Sequence, residues 1–280
     1  MLSNILVGLA GTKYAAAVEA AAIDLARRNR ATLTAVTALN LHLLRDVGPV
    51  PPGAGQAANE LRDYRVQITR AEVEASVARF QTACKAAGVA YRLKQEERDE
   101  PFDFLISRSR YADITVLSLR GIFEYDIRTE TDSDASLTLV RLISGGVHPI
   151  LAVPAEFRPV KRVFAAYSGS VESAATLRRF LQLHPFGDVE LRIATFEMPE
   201  VRSAHLRSQV VRYCRGYGID SETVHHAGAA KSHLLAEAEA WGADLVVMGN
   251  SAKNLLLRRI LGETALRAMR ESEIPLFLSQ

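Results

Sequence analysis

One order of elements is written twice along these 280 residues. Ile5-Leu-Val-Gly-Leu9 leads into Ala10-Gly-Thr12, and Val163-Phe-Ala-Ala-Tyr167 leads into Ser168-Gly-Ser170. Ala112-Asp-Ile-Thr-Val-Leu117 returns as Ala243-Asp-Leu-Val-Val-Met248, and Pro149-Ile-Leu151 as Pro275-Leu-Phe277. The copies drift together along the chain, so the first is the longer. Its extra residues are expected mostly around a loop at 40–56 that holds Gly48-Pro-Val-Pro-Pro-Gly53. A chain that repeats itself on this scale is built from repeated units.

Within each copy short apolar runs alternate with helical stripes. Val18, Ala21, Ala22 and Leu25 mark a first helix. Thr32 to Leu39 reads as a strand, and Ala57 to Ala87 as a long helix ending at Gly88. Val89 to Leu93, Ile114 to Leu117 and Ile150 to Val153 read as strands, with helices at Pro101 to Arg110 and Ser133 to Ile143. Alternation of this kind predicts an α/β fold of two tandem, doubly wound, parallel-sheet domains joined by right-handed crossovers. The boundaries are set at 1–154 and 160–280, with Pro154 to Pro159 as the join. Leu41, Leu43 and Leu44 are expected to cover an edge of the core.

Composition narrows the function classes. Hydrophobic residues make up 48% and charged residues 24%, as in ordinary globular proteins with real cores. A formal net charge of +2 offers no electrostatic footprint for nucleic acid or a membrane surface. Neither partner is expected. Cys84 and Cys214 form no C-x-x-C pair and are read as reduced thiols. The start of the chain lacks a basic n-region, and no apolar run reaches a membrane span. A cytoplasmic location is therefore expected.

The stretch with the most chemistry runs from Met248 to Thr264. A buried strand ends at Met248-Gly249, and a helix begins near Gly262 to Thr264. Strand, glycine, loop, glycine and helix N-terminus is the layout that holds a phosphate, because backbone N–H groups and the helix dipole favour an anion. Two substitutions work against it. Ala252 stands where a further glycine would help, and Glu263 stands where the phosphate would rest. A carboxylate in a helix's first turn uses those same donors. Glu263 is thus expected to act as a built-in surrogate anion that keeps the pocket weak.

These features together resemble the universal stress protein family. The two strand–turn–helix starts and Asp244-Leu-Val-Val-Met-Gly249 carry the resemblance, which covers nearly the whole chain. It implies five-stranded parallel sheets in the order 3-2-1-4-5 and, in many members, ATP held by a G-x2-G-x9-G-[S/T] motif. In the second domain Gly249 and Gly262 match that motif, Ala252 and Glu263 depart from it, and Thr264 is adjacent. Ser168 stands where the family's first strand usually ends in Asp. Tyr167 and Met248 would border the adenosine. In the first domain Ser118 replaces the first glycine, Gly121 matches the second, and Thr131-Asp132 replace the last pair. Ala10 takes the Asp position, and the acidic residues from Glu124 to Asp134 oppose a polyphosphate; Thr131, Asp132 and Ser133 read as helix caps. The resemblance also implies pairing through the last strands, Ile150–Val153 and Leu276–Ser279, as an internal pseudo-dimer, with a homodimer possible beyond it.

The implied role is a non-catalytic stress-response protein with at most weak ATP binding in the second domain and no catalytic residue assigned. An alternative stays open. Ser168-Gly-Ser-Val-Glu-Ser173 is similar to the S-G-G-x-D-S loop of PP-loop ATP pyrophosphatases, which would make the Ser168-Gly169-Ser170 turn part of an ATP-dependent enzyme. His225, His226 and His233 raise the question of a metal, but neighbours on a strand point to opposite faces, so none is predicted. Arg258 and Arg259 are read as a solvated face.

Overall fold

The computed structural model describes residues 2–98, 101–122, 135–147, 149–249 and 262–279. The first half runs β1 (Asn4–Gly8), α1 (Ala15–Asn29), β2 (Thr32–Asn40), α2 (Leu41–Arg45), α3 (Gly55–Ala87), β3 (Tyr91–Arg98), α4 (Phe102–Ser109), β4 (Ile114–Ser118), α5 (Ala135–Ser144) and β5 (Ile150–Val153). The second runs β6 (Arg162–Ala166), α6 (Val171–Leu183), β7 (Glu190–Phe196), α7 (Glu200–Arg215), β8 (Ser221–His226), α8 (Ala230–Trp241), β9 (Leu245–Gly249), α9 (Glu263–Glu271) and β10 (Leu276–Ser279).

The described strands form one sheet ordered β3-β2-β1-β4-β5-β10-β9-β6-β7-β8. Each half thus has the order 3-2-1-4-5, the second read in reverse because it is turned around with respect to the first. Neighbours are parallel except β5 and β10, which run antiparallel with Leu151 opposite Phe277. Burial follows position. Every residue of β4, β5 and β10 is buried, as parallel strands covered on both faces must be. The outer strands β3 and β8 carry charged and polar side chains such as Arg92, Lys94, Glu222 and His225, which blunt an exposed edge.

The repeated Ala-Asp has a structural cause. Asp113 Oδ2 accepts the Ser3 and Asn4 N–H groups at 2.7 and 2.9 Å. Asp244 Oδ2 accepts those of Lys161 and Arg162 at 3.0 and 2.9 Å. One carboxylate in each half therefore fixes where the central strand begins beside its neighbour.

The extra chain of the first half lies between β2 and β3, and only part of it is the expected loop. Residues 41–45 are helical, started by the Asn40 side chain accepting from Leu43 N–H at 3.1 Å. The rest lengthens α3 to 33 residues against 16 in α7. Leu44 is buried, and Leu41 and Leu43 pack on the core beside it. The strand expected at 89–93 starts at Tyr91 and follows β2 as far as Arg98. Its polar edge sequence hides that length from any apolar pattern.

Contacts beyond the β5–β10 ladder join the halves. Arg28 and Asn29 at the end of α1 donate to the Phe186 and Pro185 carbonyls at 3.0 and 2.8 Å. Arg120, two residues past β4, donates to the Arg270 and Ser272 carbonyls at 2.5 and 2.7 Å and to Glu273 at 2.6 Å. The guanidinium thereby satisfies carbonyls at the C-terminal end of α9, where a cation is favoured. Among the described residues, no helix is long and apolar enough to cross a membrane.

Candidate functional site

The strand ends of the second half converge on the first turn of α6. After β6 the chain passes through Tyr167, Ser168 and Gly169 to Ser170, which caps α6 by accepting the Ser173 N–H at 3.2 Å. Ser168 and Ser170 hydroxyls both lie against Ser173 Oγ, at 3.3 and 3.4 Å. Gly169 has φ +73°, and a Cβ there would stand 2.8 Å from the Leu206 side chain; that backbone and that space both favour glycine. Gly249, at the end of β9, abuts the same turn. A Cβ on it would stand 2.8 Å from Ser173 N and 2.9 Å from the Glu172 carbonyl carbon. Close packing of strand on helix therefore accounts for Gly249 without any ligand.

The other predicted residues are distributed around this turn. Met248 is 3% exposed and belongs to the core. Gly262 precedes α9 in an extended conformation, and its carbonyl accepts from Ala265 and Leu266. Glu263 and Thr264 open that helix. Ala252, Arg258 and Arg259 lie outside the described residues, as do Glu124, Thr131, Asp132, Ser133 and Asp134 of the first half.

Glu263 has a partner that the sequence did not suggest. Lys231, in the first turn of α8, donates to Glu263 Oε2 at 2.7 Å. Both side chains are at least half exposed, so the pair is worth little in stability. Its effect on an incoming anion matters more. The lysine partly cancels the carboxylate's field, which tempers the repulsion expected from Glu263 alone. Only the packing of α8 beside α9 brings these residues together, 32 positions apart in the chain.

In the first half the residues directly after β4 make a different contact. Ser118 Oγ accepts the Arg120 N–H at 2.9 Å, and Arg120 is the residue that reaches into the second half. His225 and His226 are separated as the strand period requires, and His233 lies on α8. His225 faces α7 through Glu200 at 3.3 Å, and His226 faces α8 through Glu237 at 3.3 Å. His226 also stacks on Phe196, with ring centres 5.2 Å apart. Among the described residues no three His, Cys, Asp or Glu side chains gather as a metal site.

Tyr167 follows β6 and lies beside the turn at Ser168. It lines a cavity of about 300 Å³ between α6 and α7, with Leu177, Arg178, Val210 and Tyr213. Burial raises the Tyr167 phenol above its ordinary pKa, helped by the nearby Cys214 thiol. Cys214 is itself pushed up to about 11 by burial, and Cys84 to about 11 by burial and by the Glu19 charge. Neither thiol is a nucleophile near neutral pH.

Comparison with known proteins agrees with this architecture. Residues 182–279 match the family model of the universal stress protein family. A universal stress protein from Archaeoglobus fulgidus aligns over 100% of this chain and 99% of its own, at 17% identity and a TM-score of 0.68. A putative universal stress protein from Pseudomonas aeruginosa aligns over 99% of this chain and 92% of its own, at 14% identity and a TM-score of 0.61. A universal stress protein solved in complex with cAMP covers 44% of this chain and 98% of its own, at 26% identity and a TM-score of 0.38. No curated protein matches the chain in sequence.

Proposed function

We propose that this tandem chain, a universal stress protein by sequence in its second half and by fold throughout, is a non-catalytic stress-response protein of the cytoplasm. In this reading residues 1–154 and 160–280 are its two domains, and the β5–β10 ladder makes them an internal pseudo-dimer that can pair further with a second chain. The second domain binds ATP at most weakly, through the turn at Ser168 and the start of α9 at Gly262, Glu263 and Thr264.

One observation carries the reading: an acidic side chain already stands in the first turn of α9, ion-paired with Lys231. Coulomb repulsion between a carboxylate and a phosphate at contact is about 1–4 kcal/mol over effective dielectrics of 80 to 20. Lys231 offsets part of it, leaving roughly tenfold in affinity, or about 1.4 kcal/mol. Calorimetric titration with ATP tests this. Glu263→Ser should bind about tenfold more tightly than the native chain, and Lys231→Ala more weakly. Micromolar ATP binding by the native chain that Glu263→Ser leaves unchanged would overturn it. The enzyme alternative gains no support, since the Ser170 hydroxyl caps α6.

A further inference from the structure

The cavity between α6 and α7 has a floor, a rim and unused polar groups. Leu177 and Val210 form the floor and are buried. Arg178 and Tyr213 stand exposed on the rim, and the Tyr213 hydroxyl lies 3.2 Å from that of Tyr217. Among the described residues, neither the Tyr167 hydroxyl nor the Arg178 guanidinium has a hydrogen-bond or ion-pair partner. A half-buried phenol and an exposed guanidinium therefore line one apolar hollow.

The first half shows how the space arises. Cys84 and Cys214 hold equivalent places, since each carbonyl accepts the N–H five residues on, from Val89 at 2.9 Å and from Ile219 at 3.2 Å. Counting back from these cysteines, Phe80 of α3 corresponds to Val210 of α7. Counting forward, Tyr91 corresponds to Ser221. Phe80 is fully buried and meets the Tyr91 ring edge-on at 5.8 Å. The second half puts an isopropyl group and a hydroxymethyl group where the first half has two aromatic rings.

We propose that this cavity binds a compact aromatic carboxylate. Its ring lies on Leu177, Val210 and the Tyr213 face, its carboxylate meets Arg178, and a ring hydroxyl reaches Tyr167. The guanidinium fork matches a carboxylate in geometry and charge. Aromatic rings stack readily on a tyrosine. The volume, about 300 Å³, is at the small end for ligand pockets, which suits a single substituted ring and not a nucleoside triphosphate. This site is separate from the strand-end turn discussed for ATP.

Calorimetry and ligand-observed NMR on the full chain, with 4-hydroxybenzoate and its neutral amide as probes, test the assignment. The carboxylate should bind about tenfold more tightly than the amide, the difference expected of a charge-assisted contact. Arg178→Gln should reduce the carboxylate to the level of the amide. Tyr167→Phe should weaken 4-hydroxybenzoate severalfold and leave benzoate unchanged. Val210→Phe installs the side chain that the first half carries and should abolish binding of both probes without lowering the melting temperature. If that variant fails to fold, Ala174→Phe closes the cavity from the rim with the same expected loss. Absence of binding by the native chain at millimolar probe, equal affinity for carboxylate and amide, or full binding in a folded cavity-filled variant would each overturn the proposal.

Discussion

The two halves share a sheet plan and differ where their first two crossover helices meet. In the first half α1 and α3 are closed over Phe80 and fastened by polar groups inside. Ser76 Oγ donates to Glu19 Oε1 at 3.0 Å, and Arg79 stands 3.7 Å from the same carboxylate. In the second half the positions equivalent to Ser76, Arg79 and Phe80 are Leu206, Gln209 and Val210, and a cavity lies between the helices. The strands and their paired Asp anchors are the same in both. A buried parallel sheet with fixed strand starts holds the fold, so the helix seam above it can be solid in one copy and hollow in the other.

Exchanging side chains between the copies tests that contrast. The largest effect is expected from Phe80→Val, which would carve into the first half the hollow that the second tolerates. Removing most of a fully buried ring should cost about 2–4 kcal/mol, read as a lower urea midpoint at constant slope. A change below about 0.5 kcal/mol would mean that Phe80 is not what fills the seam. Arg120→Ala tests whether the first strand-end loop works as a fastener between halves. Loss of charge-assisted bonds to the Arg270 and Ser272 carbonyls, from a side chain only 18% exposed, should cost about 1–3 kcal/mol. An unaltered unfolding midpoint would assign the contact no structural weight.

Gly249→Ala addresses the other strand end. The equivalent first-half residue, Ser118, carries a side chain, whereas a Cβ on Gly249 would press on backbone at 2.8 Å. The substitution should cost about 1–2 kcal/mol as overpacking, while Ser118→Ala costs less; the reverse ranking in thermal melts would contradict the packing account. The smallest effect concerns pH. Burial raises the Glu19 pKa, against the opposing pull of Ser76 and Arg79. A raised folded-state value means this group's stabilisation is complete below its unfolded pKa and is lost as pH rises through the folded one. Glu19→Gln should therefore gain on the native chain, and flatten its stability profile, as pH rises above the ordinary carboxylate range. Profiles that stay parallel would show that the carboxylate is not strained by its burial.

Much of the fold was legible because it depends on local patterns. Apolar runs, turn residues and the repeated Ala-Asp are enough to lay strands and helices out along the chain; their order within the sheet came from the family resemblance. The length of β3 was not legible, since beyond Leu93, which packs on the core, the edge strand continues through Lys94, Gln95 and Glu96 with no apolar residue. The span of α3 could be read, but not that it would hold much of the first half's extra chain. At the candidate site, Gly262 and Glu263 fall where the sequence places them, at the head of a helix. Lys231 escaped notice because nothing in the linear chain sets α8 beside α9. The cavity escaped for a related reason. Val210 looks like any core valine until it is matched with Phe80, and that match needs the helix ends defined by Cys84 and Cys214.

The antiparallel meeting of β5 and β10 turns one half around with respect to the other. Parallel strands within each half all finish on one rim of the sheet, so the two halves finish on opposite rims. A molecule assembled from two identical subunits about such an axis would repeat each change at both rims, since an isologous contact always appears in duplicate. Carrying both halves in one chain removes that duplication. Phe80 can remain while Val210 differs, and Arg120 can reach the end of α9 although the second copy has Ser251 at the equivalent position. The two rims open away from each other, and whatever docks at one leaves the other uncovered.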